Sequence, residues 1–259
     1  MSKQWYIGCA GFHYKSWKGE FYPDKLPQTR WFDYYAERFN TLELNVTFYR
    51  FPRLPMLENW YNKAPEGFKI SAKVPRAITH FKRFNDTHRM MSDVYGTLRD
   101  GLKDKLGCVL FQLTPLLKYS EETLDKILTH IDPTFTNMLE PRHESWWNQH
   151  VYNKLAAHGV TFCGHSYPEL PDEVVVNSNI AYYRFHGVPD LYHSPYTNAQ
   201  LKRVANALLA YEHVDTFYIY FNNTDSGHAI PNAYALQQMV GLPAPPVSTN
   251  AFPMKTKHI

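Results

Sequence analysis

The sequence predicts an α/β fold, a single parallel (β/α)8 TIM barrel. Three observations carry this prediction: the chain has 259 residues of which 44% are hydrophobic, eight strand-like runs recur along it, and segments with helical periodicity separate most of them. Strands that alternate with helices over one domain's length indicate a parallel sheet, and eight of them indicate closure into a barrel. We therefore expect one domain over residues 1–259.

The predicted strands are short runs of apolar, aromatic and β-branched residues. In chain order they are YIGCAG from Tyr6, TLELNVTFY from Thr41, FKISAKV from Phe68, GCVLFQL from Gly107, NMLEPRH from Asn137, VTFCGHS from Val160, IAYYRFHG from Ile180 and TFYIYFNN from Thr216.

The predicted helices have apolar residues at helical spacing or begin and end at typical helix-terminal residues. Ser120 and Ser145 stand where N-caps belong, and Gly159 and Gly241 stand where C-terminal glycines belong. The helical segments are TRWFDYYAERF, LPMLENWYNKAP, DTHRMMSDVYGTLRDGLKDKLG, SEETLDKILTHI, SWWNQHVYNKLAAHG, NAQLKRVANALLAYEHV and IPNAYALQQMVG.

Two segments depart from the alternating pattern. Residues 166–179 contain two prolines and no helical period, so one helix of the barrel is predicted to be short or missing. Residues 242–259 contain four prolines without periodicity, which predicts an irregular, extended C-terminal tail.

Composition narrows the function classes. With 27 Lys and Arg against 24 Asp and Glu, the net charge of +3 is too small to indicate a nucleic-acid-binding protein by itself. Three cysteines (Cys9, Cys108 and Cys163) are too few and too far apart for a disulfide framework. The start MSKQWYIGCAG lacks a signal-peptide apolar region and no run reaches the length of a membrane span, so we expect a cytoplasmic protein with no membrane partner.

Side chains alternate across a strand, so parity sorts each predicted strand into a helix-facing set and a lumen-facing set. In the second strand, Leu42, Leu44 and Val46 are predicted to face helices. The polar residues that parity sends into the lumen at the carboxyl ends of the strands are Glu43, Asn45, Thr47, Lys73, Gln112, Glu140, Arg142, His165, Arg184, His186 and Asn222. Barrel active sites lie at that end, which predicts a site there; the alternative is a set of ion pairs that fills the lumen.

The residue types suggest anion chemistry. Lys73, Arg142 and Arg184 are predicted to bind a phosphate or carboxylate, with Gln112, Asn45, Asn222 and Asn223 as further substrate contacts. Glu140 with His186, together with Glu43 and His143, are the predicted catalytic acid and base groups. This favours a hydrolase, lyase or isomerase acting on a small anionic substrate; the alternative is that the cations only neutralise Glu43 and Glu140.

Cofactors and other partners are less well defined by the sequence. No tight ligand spacing predicts a metal site, so no cofactor is expected, and a divalent metal held by the lumen carboxylates and histidines stays open as an alternative. Residues 76–89 (RAITHFKRFNDTHR) mix basic and aromatic side chains, so nucleic-acid binding or phosphodiester processing is the alternative function.

The chain resembles the YecE-like family, DUF72, nearly from end to end. The motifs that carry the resemblance are IGCAGFHYKSWKGEFYP (7–23), FNTLELNVTFYRFP (39–52), AKVPRAITH (72–80), FQLTP (111–115), LEPRHESW (139–146), YYRFHG (182–187) and FNNTDSGHAIPNA (221–233). The resemblance implies a single TIM barrel and transfers no established reaction. This chain departs from the family pattern at Cys9-Ala10-Gly11-Phe12, where Thr-Ser-Gly-Trp is usual, and at Cys163–Ser166 (CGHS), where an aspartate is usual.

Overall fold

A computed structural model describes residues 3–243 of the chain. Within them eight parallel strands form one sheet in the order β1-β8-β7-β6-β5-β4-β3-β2. The strands are β1 (Gln4–Cys9), β2 (Thr41–Leu44), β3 (Lys69–Lys73), β4 (Leu106–Gln112), β5 (Asn137–Glu140), β6 (Val160–Ser166), β7 (Ile180–Phe185) and β8 (Thr216–Phe221). The predicted parallel α/β barrel is confirmed. Of the predicted tail, residues 244–259 lie outside the described part.

Helices cover the outside of the sheet. They are α1 (Trp31–Ala36), α2 (Val46–Tyr49), α3 (Leu54–Lys63), α4 (His88–Leu102), α5 (Glu121–Leu128), α6 (Gln149–Ala157), α7 (Asn198–Leu209) and α8 (Ala229–Met239). Ser120 caps α5 as predicted, because its side chain accepts a hydrogen bond from the Thr123 amide. No helix in residues 3–243 is long and apolar enough to cross a membrane.

The connection from β6 to β7 has no helix among its described residues, which confirms that one helix is missing. Residues 167–179 instead form an extended segment on the outer face of β6. Asn177 fixes this segment: its Oδ1 accepts a hydrogen bond from the Phe162 amide (2.8 Å), and its Nδ2 donates to the Val160 carbonyl (3.0 Å). Because an extended chain is thinner than a helix, a groove of about 460 Å³ lies between α6 and this segment.

The barrel closes between β1 and β2 largely through side chains. The hydroxyl of Tyr35 accepts a hydrogen bond from the Cys9 amide (2.7 Å) and donates to the Thr41 carbonyl (3.0 Å). The Asn40 side chain bonds two further backbone groups of β1. Direct backbone pairing begins only at the carboxyl end, where the Glu43 carbonyl accepts from the Gly11 amide (2.9 Å). We call this junction the β1–β2 seam.

Two cores lie on the two sides of the sheet. The larger one packs the outward strand residues against the helices. The smaller one fills the lumen at the amino end of the barrel with Tyr6, Cys108, Leu110, Met138, Cys163, Tyr182, Tyr218 and Tyr220. This apolar and tyrosine-rich plug confines the charged lumen residues to the carboxyl end.

Candidate active site

The carboxylate of Glu140, at the end of β5, is the centre of a buried polar cluster. Its Oε1 accepts hydrogen bonds from Arg142 (3.0 Å), Arg184 (2.9 Å) and His186 (2.7 Å), and its Oε2 accepts a second one from Arg184 (2.7 Å). Burial by itself raises the pKa of this carboxyl, but the Arg142 and Arg184 guanidinium groups outweigh burial and hold the pKa well below its usual value. Glu140 is therefore ionised at neutral pH.

Arg184, on β7, joins the two carboxylates of the lumen. Its Nη1 donates to Glu140 and its Nη2 donates to Glu43 Oε1 (2.5 Å). The Tyr182 hydroxyl donates to the other oxygen of Glu43 (2.6 Å). All of these side chains are buried. Both terminal nitrogens of Arg184 are thus bound to carboxylates.

His186 is neutral and lies at the centre of several polar contacts. Burial and the nearby Arg142 and Arg184 lower the pKa of its ring well below the usual value. Its Nε2 lies 2.7 Å from a Glu140 oxygen, which can only accept, and its Nδ1 lies 3.0 Å from the Asn222 Nδ2, which can only donate. The Nη atoms of Arg142 and Arg184, which also can only donate, lie 3.2 Å from the same Nε2. The His186 ring therefore links Asn222 to Glu140 and to both arginines.

His165 completes the β6 side of the cluster but is poorly suited to bind a metal. Its Nδ1 lies 3.8 Å from Glu140, and burial lowers the pKa of its ring to about 3. The ligand atoms of Glu140, Cys163 and His165 lie within 4.8 Å of one another. However, two guanidinium groups already occupy the carboxylate, and burial raises the pKa of the Cys163 thiol well above its usual value. This group of three therefore fits a divalent cation poorly.

Lys73, at the end of β3, is a buried cation without a carboxylate partner. Its Nζ donates to Gln112 Oε1 (2.7 Å) and lies 4.1 Å from the centre of the Phe48 ring. Among the described residues, no carboxylate oxygen lies within 4.0 Å of it. Burial, followed by the charge of Arg184, lowers the pKa of this ammonium to about 7. Lys73 is therefore divided between its charged and neutral forms at neutral pH.

Aromatic side chains cover the cluster on the solvent side. The Tyr167 ring lies 4.1 Å from the Arg142 guanidinium carbon, and Tyr192 lies 6.4 Å from the His186 ring. Lys73, Arg142 and Asn222 keep only 7%, 5% and 9% of their surface exposed. These three residues and the half-buried Gln112 are the parts of the cluster that reach solvent.

The structure brings Glu43, Lys73, Gln112, Glu140, Arg142, His165, Arg184, His186 and Asn222 into this cluster, and it directs the polar atoms of three other predicted site residues elsewhere. The Asn45 amide donates to the Ala10 carbonyl (3.1 Å), His143 Nδ1 bonds Ser145 Oγ (2.9 Å), and Asn223 donates to the Ser194 carbonyl (3.1 Å).

Each departure has a local reason. Strand alternation ends at Val46, which was predicted to face helices and instead begins α2 with its side chain exposed; Thr47, predicted for the lumen, lies in that helix. His143 caps the short helical turn Glu144–Trp146. Asn223 follows Asn222 and so points to the opposite face, away from the lumen.

The sequence offered Phe48 among the aromatic residues that could line the pocket or cap the barrel, but it did not show which charged group each aromatic side chain contacts. Tyr182 was placed in the lumen by parity but not paired with Glu43, since strand register is not visible in a sequence. Tyr167, over Arg142, directly follows the end of β6, and that position is the signal that could have indicated it. Phe48, under Lys73, lies four residues after the end of β2, in α2.

Comparisons with known proteins agree on one family. The model of the family described as "Protein of unknown function DUF72" matches residues 6–257. The UPF0759 protein YunF of Bacillus subtilis (strain 168) is 26% identical over 156 residues, which are 58% of this chain and 54% of that protein, so the match spans about half of that relative.

Solved structures give the same result. A DUF72 family protein from Thermotoga maritima MSB8 is 26% identical, with a TM-score of 0.83 over 92% of this chain and 99% of that chain. A DUF72 family protein from Enterococcus faecalis V583, 17% identical, shares the fold with a TM-score of 0.80 over 93% of this chain and 96% of that one. The chain therefore belongs to the DUF72 family.

Proposed function

We propose that the protein is an enzyme that acts on a small phosphate- or carboxylate-bearing substrate at the carboxyl end of the barrel. The observation that carries this proposal is a charge imbalance. The two buried carboxylates, Glu43 and Glu140, are paired with Arg142 and Arg184, and the histidines of the cluster are neutral. Lys73 in its charged form therefore has no counterion among the described residues. A buried positive charge without a counterion is unfavourable, and an anionic substrate supplies that counterion.

The contacts favour Arg142 and Lys73 as the groups that bind the anion. Both reach solvent, the Nε of Arg142 has no hydrogen-bond partner among the described residues, and Lys73 has no carboxylate partner there. Arg184, predicted from the sequence as an anion ligand, is fully buried between Glu43 and Glu140. In this proposal it orders the cluster instead.

Proton transfer is best supported at Lys73. A general acid or base works best when its pKa lies near the working pH, and the pKa of Lys73 is about 7. An anion bound beside Lys73 favours the ammonium form, which can then donate a proton to the substrate. Glu140, whose pKa is held low, is a weak base; its hydrogen bond with Arg142 fixes the orientation of that guanidinium.

Thermal-shift measurements with inorganic phosphate, sugar phosphates and sugar acids test the proposal. An anion present at 100 times its dissociation constant adds about 2.7 kcal/mol, which raises the Tm of a chain of this length by about 5 °C. We expect this shift in the wild type and a clearly smaller one in Lys73→Met and Arg142→Met.

The matched control is Lys69→Met. Lys69 lies on the same strand at the amino end of the barrel, where its Nζ donates to the Asp104 carbonyl (2.6 Å). This variant should keep the full shift. The absence of a shift with every anion in well-folded wild-type protein, or equal shifts in the wild type and Lys73→Met, would contradict the proposal.

A further inference from the structure

The exposed hydrophobic side chains of this protein are concentrated on one side of the barrel mouth. Large hydrophobic residues with exposed side chains in the described part are Val46, Tyr49, Phe51, Leu54, Phe81, Leu116, Tyr192 and Leu209. The first six lie in the segments, including α2 and the first residue of α3, that follow three neighbouring strands, β2, β3 and β4. We call residues 45–54, 75–89 and 113–118 the rim surface.

The rim surface also carries a net positive charge. It contains the exposed cations Arg50, Arg53, Arg76, Lys82, Arg83, Arg89 and Lys118, against one carboxylate, Asp86. None of these seven cations is in an ion pair within residues 3–243. Because the whole chain has a net charge of only +3, the rest of it is net negative, and the rim surface is a localised basic patch.

Two aromatic rings stand open on this patch with an arginine between them. Tyr49 is 62% exposed and Phe81 is 70% exposed. The Arg76 guanidinium carbon lies 5.1 Å from the Tyr49 ring centre and 5.3 Å from the Phe81 ring centre. The rings therefore do not form one apolar patch, because the Arg76 guanidinium lies over both of them.

Local backbone geometry holds Phe81 outward. Residues 77–82 form a π-helical turn, and the next two residues, Arg83 and Phe84, have left-handed backbone angles (φ 48° and 63°). Phe84 is buried against Phe111, which anchors the turn. Left-handed conformations are costly for residues with side chains, so tertiary packing must maintain this loop shape.

The rim surface is continuous with the candidate active site. Phe48 lies beneath Lys73 Nζ on one side and contacts the Tyr49 ring on the other, with ring centres 5.2 Å apart. His80 of the π-helical turn contacts the edge of the same Phe48 ring at 5.0 Å. A ligand that covers Tyr49 thus extends directly toward Lys73.

We propose that the rim surface binds single-stranded nucleic acid, with bases stacked on Tyr49 and Phe81 and phosphates held by the surrounding cations. Unpaired cations beside exposed aromatic faces are the combination that binds single strands without base readout. An apolar membrane anchor fits less well, since Arg76 separates the two rings. Binding at the rim stands on its own observations; only the placement of a phosphate at Lys73 rests on the proposed function.

Fluorescence anisotropy of the full-length protein with a fluorescein-labelled oligo-deoxythymidine tests this proposal. Loss of one stacked base corresponds to a roughly 5- to 150-fold weaker affinity, so Tyr49→Ala and Phe81→Ala should each fall in this range while Tyr49→Phe keeps binding. Arg76→Gln should reduce the magnitude of the slope of log affinity against log salt concentration by about 0.7. Leu209→Ala, at an exposed apolar site outside the rim, is the control and should bind as the wild type does.

Three results would overturn the proposal: an affinity that does not change with salt, unchanged affinity in both alanine variants, or binding only to phosphatidylserine vesicles. The phosphate thermal shift separates the two proposals. A wild type that responds to phosphate but does not bind the oligonucleotide removes the rim proposal alone. Oligonucleotide binding with no response to any small anion removes the proposed anion site alone.

Discussion

Replacement of Arg184 by methionine should strongly destabilise the protein, because it leaves two buried carboxylates without their shared cation. Arg184 makes two hydrogen bonds to Glu140 and one to Glu43, and all three side chains have no measurable exposure. Removal of one partner from a buried ion pair typically costs about 3–5 kcal/mol. With an unfolding entropy of about 2.1 cal/mol/K per residue, this cost lowers the Tm of the chain by roughly 6–9 °C.

The assay is thermal and denaturant unfolding of Arg184→Met beside Arg203→Met. Arg203 also pairs with a carboxylate, that of Asp172, but both side chains are about half exposed. An exposed pair contributes only about 0–1 kcal/mol, so the control should lose less than about 2 °C. Equal Tm values for the two variants would refute the view that Arg184 holds the cluster together.

The same unfolding measurements, repeated at different pH values, test a further prediction about the direction of the pH dependence. The folded-state pKa of Glu140 lies below its unfolded value, so this group contributes stability above the unfolded pKa of about 4.3 and loses it as pH falls toward the folded value. In Arg184→Met a buried carboxylate can be neutralised by a proton instead. The stability difference between wild type and variant should therefore be largest near neutral pH and shrink below about pH 4; a difference independent of pH would contradict this reasoning.

Two further predictions concern the mouth and the seam. A bound anion should raise the pKa of Lys73 from about 7, so phosphate binding should take up a proton and weaken as pH rises above about 7. Calorimetry in buffers of different ionisation enthalpy should detect the uptake of this proton in the wild type but not in Lys73→Met. Gly8→Ala should destabilise by about 1–3 kcal/mol, since a Cβ there would lie 2.4 Å from the Thr41 carbonyl oxygen. Gly96→Ala, in α4 with no such contact, should stabilise by about 0.5–1 kcal/mol, and denaturant unfolding measures both changes.

A different measurement would contradict each of these predictions. Phosphate affinity that is constant between about pH 6 and pH 9 would mean that Lys73 does not titrate on binding. A stable Gly8→Ala variant would mean that β1 and β2 separate easily at the seam, and a destabilised Gly96→Ala would show that α4 is not tolerant at that position.

The sequence predicts the barrel and most of the cluster because both depend on strand periodicity. Alternation alone places Glu43, Lys73, Arg184 and Asn222 in the lumen, since each lies on or directly after a strand with an apolar opposite face. It does not reveal that the chain leaves strand geometry at Val46, because VTFY has the β-branched and aromatic residues of a strand and becomes helical only through its place in the barrel.

Strand periodicity likewise does not show which charged side chains form ion pairs. The sequence offers three cations at the carboxyl end of the barrel. Only the relative positions of β2, β5 and β7 in the closed barrel decide that Arg184 contacts both carboxylates while Lys73 contacts neither. The net charge of the whole chain also differs from the charge of the rim surface. A net charge of +3 argues against nucleic acid for the chain as a whole, whereas the folded chain collects seven unpaired cations on one rim.

Glu43 belongs both to the β1–β2 seam and to the buried charge cluster. Its backbone carbonyl makes the direct link that joins the first two strands, and its carboxylate holds Arg184 at the far side of the lumen. An unclosed intermediate with β1 apart from β2 has no fixed position for that carboxylate, so Arg184 and Glu140 can pair before closure but Glu43 joins them only at the end. We therefore expect the charge cluster to be completed late in folding, and we expect backbone amides near the seam to exchange hydrogen together with loss of the cluster.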